Sequence, residues 1–325
     1  MRRIAIVGAG HMAQVRGKAF VETGRTTIVA VASRRLAPAR ACAAELGAPA
    51  AFDDFRALAA CRPEAVLVET PHQVHDEVVP WALAAGYDLL LGGNLATSVA
   101  SGERFVSLAA AHGRVVECGY DRRYHPAWER LHELIRAGAL GQPVQAVASG
   151  LFTADPASWY YDEAASGGMP LTHMTYVGLS YIRWLFGRPV GVAALANRVA
   201  ETAPGRVTEE SAAALVEFAG GAFATVIGGY VGAAGLPDPP VRIVCARGAA
   251  VPDAEAGTLT LYRGGAPEVL RFPSHPSAFV RQTDAFLDAL DRRGGQRNPP
   301  EDALWDVRLA AAVAQAARER RLVRL

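Results

Sequence analysis

At 325 residues the chain is longer than the roughly 250–300 residues over which a single hydrophobic core keeps growing, so two domains are expected. A formal net charge of +1, with the arginines spread along the chain, leaves no basic field for nucleic acid. No apolar run is long enough to span a bilayer, which argues against a membrane protein.

Lys18 is the only lysine among the 33 Lys and Arg residues, so almost none is available for catalysis. Cys42, Cys61, Cys118 and Cys245 have neither disulfide nor metal spacing. The N-terminal apolar stretch is short and runs into a glycine turn, so it does not read as a signal peptide. A reduced, cytoplasmic protein is the expectation.

The chain opens with an apolar strand, Ile4-Ala5-Ile6-Val7, followed at once by Gly8-Ala9-Gly10-His11-Met12-Ala13. This is a strand leading into G-x-G-x-x-A. Gly8 suits a tight turn, Gly10 lets backbone approach a pyrophosphate, and Ala13 allows close helix–strand packing. The N-terminus of the next helix offers free N–H groups to phosphate. The second strand, around residues 27–32, ends in Ser33-Arg34-Arg35. An NAD site usually has an acid there for the ribose 2′-hydroxyl. A hydroxyl and two guanidiniums suit a 2′-phosphate instead, so NADP(H) is preferred, with NAD(H) as the alternative.

Further strands are predicted at 65–70, 88–92 and 114–118, with helices between them, such as Ala37–Leu46 and Asp76–Ala85. Such alternation implies an α/β fold with a doubly wound parallel Rossmann sheet over residues 1–120. Glu69-Thr70-Pro71-His72 closes the third strand of this series, at the carboxyl edge where ligands of such sheets bind. Cofactor contacts are expected from Gly8, Gly10, His11, Met12, Ser33, Arg34, Arg35, Thr70, Pro71, His72 and His75, and from the turn containing Gly92 and Gly93. His72 and His75 lack a third ligand at metal spacing, so no metal is expected. Asp53 and Asp54 read as a surface loop or helix start.

Residues 121–325 read differently. β-rich runs at 143–152, 190–199, 211–219, 222–231, 240–246, 258–263 and 267–272 are punctuated by Gly and Pro. Helices are expected at 125–137, 168–186, 277–292 and 301–319, the last with room to pack back on the first domain. The prediction is an α+β domain with a mostly antiparallel open sheet, and 233–240 is read as a loop. Apolar residues on both alternations of 211–231, among them Val216, Phe218, Phe223 and Val226, imply two covered faces. Helices would cover one face. Another subunit would cover the other, giving a homodimer or homotetramer.

Several longer stretches carry a family resemblance. They are Ala65 through Thr70-Pro71-His72 to His75, Cys118-Gly119-Tyr120-Asp121-Arg122-Arg123-Tyr124-His125-Pro126, Leu134 to Gly141, Trp159 to Gly168, Arg183-Trp184-Leu185-Phe186-Gly187, and the closing helix from Asp302 to Val323. In this order they resemble the glucose–fructose oxidoreductase / inositol dehydrogenase (Gfo/Idh/MocA) family over essentially the whole chain. The resemblance implies an NAD(P)-dependent oxidoreductase that acts on a carbinol of a sugar, cyclitol or related polar molecule.

The departures from that pattern are specific. The family usually ends its fourth strand in Glu-Lys-Pro, where the Lys supplies a proton path; here Gly92 and Gly93 stand at the Glu and Lys positions. The family's later Asp-x-x-x-His falls on His173 and Val177. Three readings stay open. One is a reductase with a relocated proton donor, for which His173, Tyr176, Tyr120 and His125 are candidates. His173 and Tyr176 would share one α-helix face at i, i+3. The second is a reductase of an iminium or enone that needs little protein acid. The third is a cofactor-fold protein with lost or non-redox activity. Losing one acid–base group costs about 10²–10⁴-fold, short of inactivity, which keeps the oxidoreductase first. Arg122, Arg123, Tyr124 and His125 are candidate substrate residues at a cleft between the domains. Trp159, Tyr160 and Tyr161 would offer aromatic faces to a polar ring.

Overall fold

A computed structural model describes every residue except Ala154, Ala234, Pro237, Asp238 and Pro239. The loop expected at 233–240 therefore lies partly outside the described residues. The chain forms two compact units, one of Met1–Asp121 with Pro276–Leu304 and one of Arg122–His275 with Trp305–Leu325.

In chain order the first stretch contains β1 (Arg2–Val7), α1 (His11–Glu22), β2 (Thr26–Ala32), α2 (Leu36–Glu45), β3 (Ala51–Phe52), β4 (Ala65–Val68), α3 (His75–Ala84), β5 (Asp88–Leu91), α4 (Val99–His112) and β6 (Val116–Cys118). The second contains α5 (Pro126–Arg136), β7 (Pro143–Leu151), α6 (Glu163–Ser166), a π-helix (Pro170–Leu179), α7 (Ser180–Phe186), β8 (Pro189–Asn197), β9 (Ser211–Phe218), β10 (Phe223–Gly229), β11 (Arg242–Cys245), β12 (Gly248–Asp253), β13 (Thr258–Tyr262) and β14 (Glu268–Arg271). The chain closes with α8 (Ala278–Arg292), α9 (Pro300–Glu319) and β15 (Val323–Arg324).

The first unit is built on a six-stranded sheet in the order β3-β2-β1-β4-β5-β6, with every pairing parallel. Ile4 to Val7, Ala65 to Val68 and Leu89 to Leu91 are buried on both alternations, the pattern of strands covered by helices on both faces. The strand order reverses between β1 and β4. Ligands of open α/β sheets bind at such a switch point, outside the carboxyl ends of the strands.

The linear division at residue 120 misses one element of this unit. α8 packs on α1, with the Phe20 and Phe286 rings edge to face at 6.3 Å, and Leu287 and Leu290 join the same core. At the rim, Arg25 meets Asp284, Asp288 and Asp291. The segment after residue 275 thus completes the first unit, and α9 begins there before running on into the second.

The second unit carries a nine-stranded sheet in the order β14-β13-β12-β11-β7-β10-β9-β8-β15. Among the described residues only β7 and β10 of this sheet pair in parallel. β9 alternates cleanly, with Val216 and Phe218 inward and Leu215 and Glu217 outward. Inward Val226 of β10 packs against Gly178 of the π-helix. Outward Phe223 stands with exposed Leu215 and Leu195 on the opposite face.

The segment expected as one helix over 168–186 is two. Between Pro170 and Leu179 the backbone bonds close i→i+5, the Thr175 hydroxyl donates to the Pro170 carbonyl at 3.2 Å, and α7 follows. In an i→i+5 helix, residues four and five apart share a face, so the i, i+3 argument for His173 and Tyr176 does not apply. Every residue of Pro170–Leu179 except the half-buried Tyr176 is buried.

Candidate active site

The first unit's site begins at the β1–α1 turn. Gly8 has φ +117, and a Cβ there would lie 2.0 Å from the Glu69 carbonyl oxygen, so only glycine fits. Gly10 is the N-cap of α1; it makes no side-chain cap, has open space beside it, and no acid stands in the helix's first turn. The first N–H groups of α1, from exposed His11 and half-buried Met12 onward, are therefore left for an anion. This uncapped helix start beside a glycine cradle fits the pyrophosphate of a dinucleotide.

β2 ends beside it. The Ser33 hydroxyl donates to the Arg35 carbonyl at 2.9 Å and accepts from the Arg35 N–H at 3.4 Å, which shapes the turn into α2. Arg34 and Arg35 are both exposed. Among the described residues neither forms an ion pair, and no carboxylate occupies positions 33–35.

The ends of β4, β5 and β6 supply the rest of this edge. Thr70 follows β4 with a buried hydroxyl that has no hydrogen-bond partner. His75 is fully buried; its Nδ1 lies 3.1 Å from the Leu95 carbonyl, and desolvation holds its pKa below the usual value. That makes it a neutral ring donating from Nδ1. His72 lies next to it, with ring centroids 5.7 Å apart, and its Nε2 accepts from the Asn94 N–H at 3.4 Å. The Tyr120 hydroxyl donates to Asn94 Oδ1. Tyr120 holds φ at +138, a sterically costly conformation for a bulky residue, of a kind that clusters at functional sites. Asn298 secures the strand end below it, accepting from the Cys118 N–H at 2.9 Å and donating from Nδ2 to the Cys118 carbonyl at 3.2 Å.

Glu69 connects these turns. Its carboxylate reaches 2.7 Å from Arg16 Nε of α1, an ion pair whose angle is too poor for a hydrogen bond. Burial raises the Glu69 pKa while the Arg16 charge opposes the rise.

In the second unit the structure gathers aromatic rings around His173. Its ring lies 4.1 Å from Tyr230, 5.0 Å from Phe152 and 5.2 Å from Tyr160, centroid to centroid. Nδ1 has no hydrogen-bond partner, and burial lowers the pKa to about 3. His173 is therefore neutral throughout the physiological range. The Tyr230 hydroxyl donates to the Tyr160 carbonyl at 3.0 Å, and burial raises its pKa. Tyr161 is fully buried against Tyr230 at 4.6 Å, and Trp159 leans on Tyr160 at 4.4 Å. Of the predicted aromatic run, Tyr160 touches the histidine, while Tyr161 supports Tyr230 from behind. The sequence alone does not single out Phe152 or Tyr230. They follow β7 and β10, whose parallel register sets Leu151 against Gly229 and so brings the next residues together.

The basic run after β6 has structural partners within the second unit. Arg123 is fully buried, 3.8 Å from Asp306 and over the Trp184 ring. Asp306 also accepts from Arg183 Nε at 2.5 Å. Arg122 stacks over Tyr181 at 4.9 Å, Tyr124 is buried, and His125 caps α5 by accepting from the Ala127 N–H at 3.3 Å. Among the described residues no group of three or more His, Cys, Asp or Glu could hold a metal, and no helix is long and apolar enough to cross a membrane.

A family model described as "Oxidoreductase family, NAD-binding Rossmann fold" matches residues 2–120, and the GFO/IDH/MocA C-terminal domain matches 128–251. The chain is 26% identical over 327 residues to inositol 2-dehydrogenase 4 of Saccharopolyspora erythraea, covering 97% of this chain and 91% of that one. Among solved structures, aldose-aldose oxidoreductase from Caulobacter crescentus complexed with glycerol matches with a TM-score of 0.89 at 24% identity, covering 100% of this chain and 99% of that one. Levoglucosan dehydrogenase in complex with NADH matches with a TM-score of 0.91 at 17% identity, covering 99% and 98%.

Proposed function

Because the chain belongs to the Gfo/Idh/MocA family of NAD-binding oxidoreductases, we propose that it is an NADP(H)-preferring member that moves hydride to or from a polar small molecule. The observation that carries the cofactor preference is the end of β2, where two exposed guanidiniums and a hydroxyl replace the usual acid. A 2′-phosphate gains charge-assisted hydrogen bonds from such a set, and no carboxylate repels it. The α1 N-terminus binds the pyrophosphate, and the Thr70 hydroxyl is an unused partner at the same edge. A bound nicotinamide supplies the hydride chemistry.

The substrate class is a sugar, a cyclitol or a biosynthetic ketone, imine or enone. The aromatic faces of Tyr160, Tyr230 and Phe152 suit a ring, and unpartnered His173 Nδ1 suits a hydroxyl on it. A histidine held neutral down to about pH 3 orients such a hydroxyl rather than protonating it. The proton role left by the glycine at position 93 then falls to a tyrosine hydroxyl, Tyr176 or Tyr120. The cytoplasm is the proposed location, and the outward face of the nine-stranded sheet the proposed contact of a homodimer or homotetramer.

Calorimetric titration with NADPH and NADH tests this reading. Tighter NADPH binding is expected; equal or tighter NADH binding overturns the 2′-phosphate argument. Consumption of NADPH at 340 nm across ketosugars, cyclic imines and enones then sorts the substrate class.

A further inference from the structure

Glycine at position 92 leaves no empty space. A Cβ built on Gly92 would fall 2.2 Å from Cδ, Oε1 and Oε2 of Glu69. The volume beside the end of β5 is filled by a carboxyl group that arrives from the end of the neighbouring strand. Glu69 is fixed there by its backbone: its N–H donates to the Val7 carbonyl at 2.7 Å, and its own carbonyl is the atom against which Gly8 packs.

The carboxylate is 9% exposed and the Arg16 side chain 5%, so the ion pair between them is desolvated. Arg16 in turn donates through a terminal nitrogen to the side-chain oxygen of fully buried Gln282 on α8, and lies over the Phe279 ring at 4.9 Å. Glu69 therefore touches three parts of the first unit's ligand edge. Its main chain backs the Gly8 turn, its charge holds the first turns of α1 through Arg16, and its carboxyl group supports the Gly92 turn from below. Keeping a desolvated ion pair is costly, and an apolar pair of the same volume commonly holds a fold as well or better. The pair's position, joining the two turns at the switch point of the sheet, accounts for it better than stability alone.

We propose that Glu69 is a positioning residue of the dinucleotide site: from β4 it supplies the side chain that position 92 omits, and it sets the α1 N-terminus and the Gly92 turn relative to each other. The role needs a nicotinamide nucleotide in the site and is indifferent to the choice between NADP(H) and NAD(H).

The test is a side-chain exchange read as nucleotide affinity. Calorimetric Kd values for NADPH and NADH are measured for the wild type, Glu69→Gln, Glu69→Ala, Gly92→Glu and the double variant Glu69→Ala/Gly92→Glu. Thermal unfolding of each protein without nucleotide is measured in parallel. Glu69→Ala is expected to raise Kd at least tenfold while the protein stays folded. Gly92→Glu, with two carboxyl groups in one volume, should lower the unfolding temperature and weaken binding. The double variant should return Kd to within about threefold of the wild type, because the carboxyl group reaches the same space from the other strand. Glu69→Gln keeps the shape and removes the charge, so it shows whether the charge on Arg16 matters even if Gly92→Glu fails to fold.

A purely structural ion pair would lower the unfolding temperature and leave Kd unchanged in the folded fraction. That outcome, or losses that simply add in the double variant, overturns the assignment. A wild type that binds neither nucleotide overturns the dinucleotide reading together with it, whereas normal binding by Glu69→Ala overturns only the role of Glu69.

Discussion

Replacing His173 by Phe should flatten the acid side of the stability profile. The imidazole is enclosed by Phe152, Tyr160 and Tyr230, and burial lowers its pKa from 6.5 to about 3. In the unfolded chain the same ring takes up a proton near its ordinary value. Stability from the buried neutral ring is therefore complete above the unfolded pKa and is lost progressively as pH falls toward about 3. Each pH unit in that window costs about 1.4 kcal/mol, so moving from about pH 7 to about pH 5 costs roughly 2 kcal/mol through this one group. His75 is also held neutral by burial, but it is common to both proteins and cancels in the comparison. Phenylalanine keeps an aromatic ring in the cluster and has no proton to gain. Urea unfolding of wild type and His173→Phe at the two pH values gives the difference directly. The wild type should lose about 2 kcal/mol more than the variant. Equal losses, within about 0.5 kcal/mol, would refute both the burial of a neutral histidine and the argument that His173 orients a hydroxyl rather than donating a proton.

Other consequences follow from single contacts. Arg34→Ala should weaken NADPH binding by about 1–3 kcal/mol while leaving NADH binding unchanged, a difference read by calorimetry. Asp306→Ala leaves the buried Arg123 and Arg183 guanidiniums without their shared carboxylate and should cost about 3–5 kcal/mol in urea unfolding. Leu215→Arg places a charge on the outward face of the nine-stranded sheet beside Phe223 and Leu195; light scattering at micromolar concentration is expected to give a dimer or tetramer for the wild type and a monomer for the variant.

Features written within one structural period were legible in the sequence. The apolar runs Ile4–Val7 and Leu89–Leu91 needed only their own composition to announce strands buried on both faces. The β1–α1 turn was legible because Gly8, Gly10 and Ala13 each answer a local steric demand. Other features depended on neighbours. β12, with Ala249, Ala250 and Pro252, has weak strand propensity and forms because β11 and β13 pair with it on both sides. β3 and β15 are two residues each and exist only as additions to β2 and β8. α8 was predicted as a helix, but nothing in its own period says that its apolar face belongs to α1. The π-helix escaped for a related reason: its apolar spacing read equally well as α, and the i→i+5 bonding became visible only in the backbone.

The site divides along the same line. Gly92 and Gly93 were visible as departures because a linear pattern exposes a missing side chain at its own position. The group that fills the gap was not visible as such, since Glu69 follows another strand and reads locally as one more polar residue at a strand end. β4 and β5 are adjacent and parallel, with Val68 paired to Leu91, so the residues that follow them, Glu69 and Gly92, leave the sheet side by side. A side chain rooted on either strand can then enter the same volume. Substitution in three dimensions thus appears along the chain as one loss and one unrelated gain, and only the register of the two strands shows that they concern one site. His173 follows the same logic. Its helix period could place it against the sheet, but its neutrality comes from Phe152 and Tyr230, which reach it through the parallel pairing of β7 and β10. The charge expected of a histidine from its ordinary pKa is therefore removed by burial among residues distant in sequence.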